Sequence, residues 1–354
     1  MDSSLNEIRK WISKKDDSSM SLSGKGSLGL VRSLKQEYPN LKIFAQNDTE
    51  IVASEDVISP HYRIDLPKRG DLSCLRPIKQ WLQPMLLENE VEIDVHSIGL
   101  NFRDVLNVLG MYPGEPGQPC ADSAGIVTRI GKNVKNVKIG DRVFGLFYSP
   151  LSTRAIGYCD QIVKTELNFP EASSMPVVGI TVEYAFHHLF PIKKGQKILI
   201  HSGAGGVGIT AIQYAKHEGA IVYATCSNGK MDYLRNIDVD YIATSRDPEL
   251  FKKEFQNHKV DVVLNCLSDD YIQYSLDMLE KGGCFLEIGK RGIWSKEEMK
   301  NSRPDIDYHI IALDTQIEEH NPIIPELFSS LSQKLETWLK PLPTKCFDLE
   351  TEYI

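Results

Sequence analysis

Three observations predict an α/β fold built on a doubly wound parallel sheet. From Lys197 onward, short apolar runs suited to strands alternate with stretches of helical spacing. The first of these runs leads into a glycine turn, Gly203-Ala204-Gly205-Gly206-Val207-Gly208. Ahead of it, from about Tyr62, many short strands separated by turn residues predict an antiparallel, β-rich part.

In chain order, Leu5, Ile8, Trp11 and Ile12 make a short amphipathic face. The serine- and glycine-rich stretch 17–28 then reads as a linker, a helix is expected over 28–37, and a strand over 42–45. Nothing in the first sixty residues carries chemistry. Strands are expected over 63–66 and 90–97, the second with clean alternation of apolar and polar residues. Two more follow at 124–131 and 137–145, with Gly140-Asp141 as a tight turn entering a strand.

Lys197 to His201 suits a strand buried on both faces, and the glycine turn follows it directly. In a GxGxxG turn the first glycine permits the bend, the second lets backbone approach a pyrophosphate, and the third lets the next helix pack on the strand; here they are Gly203, Gly205 and Gly208. A helix over 207–218 carries Ile209, Ile212 and Ala215 on one face, Gly219 ends it, and 220–225 forms the second strand. The N–H groups and dipole of that helix would face an anion, so the unit reads as a dinucleotide site. At the tip of the second strand, Cys226-Ser227-Asn228-Gly229-Lys230 has no carboxylate to hold ribose hydroxyls, and Lys230 is a cation within reach of a 2'-phosphate. The cofactor read from these residues is NADPH, although Lys230 would also suit a solvated helix start.

Beyond it, strands are expected over 238–243, 260–266, 284–288 and 307–313, with helices over 248–255, 271–279 and 323–339, the last crossing back to the first part. Ligands bind at the carboxyl ends of strands in such sheets, which makes Asn265, Gly289 and Lys290 candidates for the nicotinamide pocket and puts Asp314 at a strand tip.

Bulk properties narrow the function class. The formal charge is −8, and no basic stripe suited to nucleic acid is present. No apolar run approaches the roughly 18–20 residues that cross a bilayer. The first residues lack the apolar centre of a secretory signal, and their acidic residues argue against a mitochondrial presequence, so the cytoplasm is expected. Seven scattered cysteines without a CxxC pair suit a reducing compartment, with buried structural thiols the expected role of most. The nine histidines form no metal-ligand spacing, and no metal is expected.

Six motifs in this order carry a resemblance: GLNFRDVLNVLGMYPG, VKIGDRVFGL, PVVGITVEYAF, HSGAGGVG, VDVVLNCL and FLEIGK. Together, over about residues 70–353, they resemble enoyl reductase domains of polyketide and fatty acid synthases, in the medium-chain dehydrogenase/reductase superfamily. The resemblance implies a GroES-like substrate domain over 61–184, completed by about 320–354, and a Rossmann NADPH domain over 185–319. It implies that residues 1–60 are a tail and a ketoreductase-like remnant, since GSLGLVRSLKQEYPNLKIF resembles the end of a ketoreductase's structural half. A closing helix and a basic, glycine-containing strand would be expected after Cys346–Ile354, so the substrate domain reads as truncated. The superfamily's zinc enzymes need cysteine near Asn101 and histidine near Ala121, and this chain has neither.

The resemblance also implies roles. Lys290 and Asp314 correspond to a proposed proton-donating pair, and Tyr112 to a tyrosine beside the substrate's α-carbon. A desolvated lysine held by a carboxylate would be an acid usable near neutrality. Asn101, Thr181 and Ser227 join the cofactor set with Gly203 to Gly208, Lys230, Asn265 and Gly289. The expected reaction is NADPH-dependent reduction of an enoyl thioester on an acyl carrier protein, among other synthase domains. A free-standing quinone or alkenal reductase, and a truncated non-catalytic cofactor-binding or docking domain, remain open.

Overall fold

A computed structural model describes the backbone of three short strands, β1 (Ser21–Leu22), β2 (Lys42–Gln46) and β3 (Glu50–Ser54), and residues 61–113, 117–148 and 151–348. The helix expected over 28–37 and the amphipathic face of Leu5 to Ile12 lie outside the described residues. β4 (Tyr62–Asp65) and β5 (Arg76–Lys79) form an antiparallel pair.

The β-rich part is a five-stranded antiparallel sheet of β6 (Glu90–Ile98), β7 (Asp122–Ile130), β8 (Arg142–Leu146), β9 (Arg154–Tyr158) and β10 (Ile162–Lys164). Its order is β10-β8-β7-β6-β9. Val91, Ile93, Val127, Val143 and Ile162 form its core. The expected clean alternation in β6 is not met, because Glu90 and Glu92 are buried too. Each has partners that make burial tolerable: the Arg129 Nε–H donates to Glu92 Oε1 at 2.9 Å, while Gln83 and the Leu87 amide donate to Glu90. β8 starts later than expected because Lys138–Asp141 closes a turn, with the Lys138 amide donating to Asp141 Oδ2 at 2.9 Å and Gly140 at φ 89°.

Helix α1 (Phe102–Val108) lies between β6 and β7, and α2 (Phe169–Ser173) and α3 (Pro176–Glu183) lead out of the sheet. The second sheet is parallel and six-stranded: β11 (Lys197–Ile200), β12 (Ile221–Cys226), β13 (Tyr241–Thr244), β14 (Val260–Asn265), β15 (Leu279–Glu287) and β16 (Asp307–Ile310). The strand order β13-β12-β11-β14-β15-β16 reverses direction between β11 and β14, the switch point at which such sheets bind ligands. Alternate residues of these strands supply two apolar cores, Ile198 and Ile200 on one face and Leu199 and Val263 on the other, as expected for a sheet covered on both sides.

The interleaved helices are α4 (Gly206–His217), α5 (Met231–Asn236), α6 (Pro248–Phe255), α7 (Asp270–Met278), α8 (Lys296–Ser302), α9 (Leu313–Glu318) and α10 (Ile323–Thr337). Local chemistry sets several ends. Asp247 accepts from the Leu250 amide and Pro248 takes the first turn of α6, while Ser295 and Glu298 cap α8 reciprocally. β13 begins at Tyr241 rather than Asp238, because Asp238 adopts a left-handed conformation (φ 54°) that ends α5. The strand expected over 307–313 ends at Ile310, and Asp314 occupies the first turn of α9, where a carboxylate complements the helix dipole.

Candidate active site

The glycine turn joins β11 to α4. The left-handed residue of the bend is Ser202 (φ 53°), not Gly203. Gly203 is needed for room: an added Cβ would stand 2.9 Å from the Ala224 Cβ, and its amide donates to Thr225 O at 2.7 Å, tying the turn to β12. A Cβ on Gly208 would meet the Ser202 carbonyl and lie 2.6 Å from Gly203 Cα, so the first turn of α4 packs directly on the backbone of the bend rather than on the strand. No side chain caps α4, whose N-cap is Gly205, and the Gly206, Val207 and Gly208 amides have no intrahelical acceptor. This uncapped N-terminus with bare backbone fits a pyrophosphate. His201, beneath it, is buried between Thr225 Oγ1 at 3.0 Å and Ser275 Oγ at 2.8 Å; burial pushes its pKa down to about 3, which keeps it neutral and structural.

Past the β12 tip, Ser227 precedes a helical turn, Asn228–Lys230, and Lys230 is exposed. Arg246, which sequence reasoning passed over, stands in the adjoining turn: the Ser245 amide donates to Cys226 O at 2.8 Å, bringing the two strand tips side by side. The signal was a Ser-Arg pair just after an apolar run, but only the pairing of β12 with β13 makes it relevant to the same end of the sheet.

The proposed chemical residues meet across 202 positions of sequence. The Tyr112 hydroxyl donates to Asp314 Oδ2 at 2.8 Å, and Lys290 Nζ donates to Asp314 Oδ1 at 3.0 Å. Burial raises the Asp314 pKa, but hydrogen bonds from Lys290 and Tyr112 outweigh it and hold the carboxyl below its ordinary value. Burial and the neighbouring carboxylate raise the Tyr112 pKa, partly opposed by the Arg103 guanidinium 5.2 Å from the ring centroid. Lys290 is not desolvated as expected: its side chain is 33% exposed, in the turn that follows the C-terminal end of β15.

Asn265 and Gly289 meet at one buried carboxylate. Asn265 Nδ2 donates to Glu287 Oε2 and the Gly289 amide to Glu287 Oε1, both at 2.6 Å. Asn265 also bonds both backbone groups of Leu267, so its amide is committed to shaping the turn. Asn101, at the start of α1, donates from Nδ2 to Asp122 Oδ2 at 3.0 Å, and the Val177 amide reaches the same oxygen at 3.1 Å. Thr181, one turn further along α3, donates to Val177 O at 2.7 Å. Burial pushes the Asp122 carboxyl up to about 8, against the hydrogen bonds from Asn101 and Val177.

Among the described residues, no three His, Cys, Asp or Glu side chains are grouped to hold a metal ion. At the two positions where the resemblance implies zinc ligands, the chain has Asn101 and Ala121, neither of which is a cysteine or histidine. No helix among the described residues is long and apolar enough to cross a membrane.

Two family models match the chain: an alcohol dehydrogenase GroES-like domain over residues 87–189, and a zinc-binding dehydrogenase domain over 206–312. The crystal structure of CurK enoyl reductase is 35% identical, with a TM-score of 0.75, over 81% of this chain and 92% of that one. This chain belongs to the polyketide enoyl reductase family of the medium-chain dehydrogenases/reductases. It is thus an oxidoreductase of that superfamily, and its two sheets are the GroES-like and Rossmann halves. Among full-length relatives, the phenolphthiocerol synthesis polyketide synthase type I Pks15/1 of Mycobacterium marinum (strain ATCC BAA-535 / M) is 35% identical over 282 residues, 76% of this chain. The chain spans 13% of that synthase's length. An Escherichia coli quinone oxidoreductase described as complexed with NADPH shares the fold at 24% identity and a TM-score of 0.68, over 80% of this chain and 90% of that one.

Proposed function

We propose that this enoyl reductase-family chain uses NADPH to reduce an α,β-unsaturated thioester carried on an acyl carrier protein within a polyketide or fatty acid synthase. The observation that carries the reading is Asp314 accepting from Lys290 and Tyr112 at once. The relatives' place in multidomain polyketide synthases supports the carrier-bound substrate. The cofactor reading rests on the uncapped α4 N-terminus, the exposed Lys230 and Arg246 beside the β12 tip, and the absence of a carboxylate between Cys226 and Lys230. The NADPH-bound quinone oxidoreductase of the same fold is consistent with it.

NADPH supplies the hydride for the β-carbon. As that bond forms, the alkene electron pair moves onto the thioester carbonyl, and the enolate then takes a proton at the α-carbon. Lys290 is the proton donor. An ammonium has three N–H donors, one of which is held by Asp314, leaving two to face the enolate. Its partial exposure lets solvent return the proton. Tyr112 is the poorer acid, because its raised pKa and its bond to Asp314 both hold its proton, so it directs the face on which the α-carbon is protonated.

NADPH oxidation followed in parallel with crotonyl-pantetheine and with a quinone tests the reading. Consumption with the thioester alone supports it; consumption with quinone alone indicates a quinone reductase, and neither, with NADPH bound, a non-catalytic domain. Lys290→Ala should lower turnover about 10²–10⁴-fold, and full activity in Lys290→Ala combined with Asp314→Asn would overturn the assignment.

A further inference from the structure

Glu287 is a buried carboxyl that the chemistry above does not use. It is 0% exposed at the C-terminal end of β15, yet each oxygen is engaged by a donor from a different strand end. Oε2 takes the Asn265 amide from the tip of β14, and Oε1 takes the backbone N–H of Gly289, the residue before Lys290. The Ile288 amide adds a bond to Asn265 O at 2.9 Å, and the Glu287 carbonyl accepts from Ile311 at 2.7 Å, in the connection leading to α9 and Asp314. A Cβ on Gly289 would lie 2.6 Å from Glu287 Oε1, so the backbone is drawn onto the carboxylate as closely as glycine allows.

We infer that Glu287 is a positioning residue for proton transfer, clamping the 287–290 turn so that Lys290 is held against Asp314 in the reactive arrangement. The inference rests on the proposed role of Lys290. The clamp works because a carboxylate is an acceptor at both oxygens, and both facing groups are donors. A glutamine keeps the shape but presents its NH₂ to one of those two donors. The turn then has to move to relieve the donor–donor contact, and Lys290 moves with it. Misplacement by about 1 Å can cost on the order of 100-fold in rate.

A double-mutant cycle with NADPH and crotonyl-pantetheine separates positioning from general support of the fold. Glu287→Gln alone should lower kcat by 10-fold or more while KM for NADPH changes less than threefold. In the Lys290→Ala background the same substitution should lower the residual rate less than twofold, since the group it positions is gone. An equal loss in both backgrounds would overturn the clamp and leave the Lys290 assignment standing. Full activity in Lys290→Ala alone would instead overturn the reading on which the clamp rests. If Glu287→Gln does not fold, Asn265→Ser, which removes one clamped donor and leaves the carboxylate, is placed in the same cycle. An equal loss in both backgrounds counts against the inference there too.

Discussion

Removing Lys334 tests whether one buried ion pair holds the two halves together. Glu183, at the end of α3, is fully buried, and Lys334 of α10 reaches it at 2.9 Å. Ser330 Oγ donates at 2.9 Å, and the Tyr214 hydroxyl of α4 donates as well. One carboxylate therefore joins α3, which leaves the first sheet, α4, which follows the glycine turn, and α10, which returns to pack on β10. Lys334→Met keeps most of the stem but leaves the Glu183 charge buried without its cation. An orphaned buried charge costs about 3–5 kcal/mol. Here Ser330 and Tyr214 still donate, so a loss of roughly 2–4 kcal/mol is expected, which at about 2–4 °C per kcal/mol lowers Tm by about 5–15 °C. Thermal unfolding followed by circular dichroism reads the shift. Adding Glu183→Gln should recover part of it, because the uncompensated charge is then gone. A loss below about 1 kcal/mol for Lys334→Met, the range of an exposed pair, would refute the reasoning.

Three further outcomes are expected. Gly208→Ala drives a methyl against the Ser202 carbonyl and Gly203, so NADPH affinity measured by cofactor fluorescence should fall at least 10-fold with the far-ultraviolet spectrum retained; unchanged affinity would show that the turn yields freely. Lys230→Ala, and Arg246→Ala separately, should each weaken NADPH by about 10–100-fold, a charge-assisted contact of about 1.5–3 kcal/mol, while leaving NADH within twofold. Equal losses for both cofactors would remove the residue from the 2'-phosphate site. Asp122 titrates near 8 in the folded chain against an ordinary 3.8, so the folded state holds the extra proton between those values, and the stability this contributes is lost as pH rises through about 8. The Tm of Asp122→Asn minus that of wild type should therefore rise from pH 5 to pH 9. A difference that stays flat would mean that Asp122 is ionised throughout.

Much of the parallel half was legible because its signals are local. The limits of α6 at Pro248 and Phe255 follow from a proline, a capping aspartate and apolar spacing, all within ten residues. β11 and α4 were legible to within a residue or so because strand, turn and helix share one apolar and glycine pattern. The antiparallel half was harder, since Glu90 and Glu92 are buried only because Gln83, Arg129 and the Leu87 amide come to them. Asp314 read as a strand tip because 307–313 is apolar and polar in strand-like proportion, yet β16 ends at Ile310 and α9 begins at Leu313.

By itself the sequence showed a strand, glycine turn and helix of the kind expected at a dinucleotide site after Ile200, and which family the chain resembles, because glycine spacing and strand–helix alternation are properties of neighbouring residues. Tertiary structure decided the rest of the site. Tyr112, Lys290 and Asp314 lie on three separate segments, and their meeting is a consequence of how the two sheets pack. Nothing in the sequence singles out Glu287 or Asp122; folding removes both from water and gives each an asparagine amide as a partner. Arg246 became a cofactor candidate only once β13 was seen beside β12, since strand order is set by long-range pairing that local pattern does not encode.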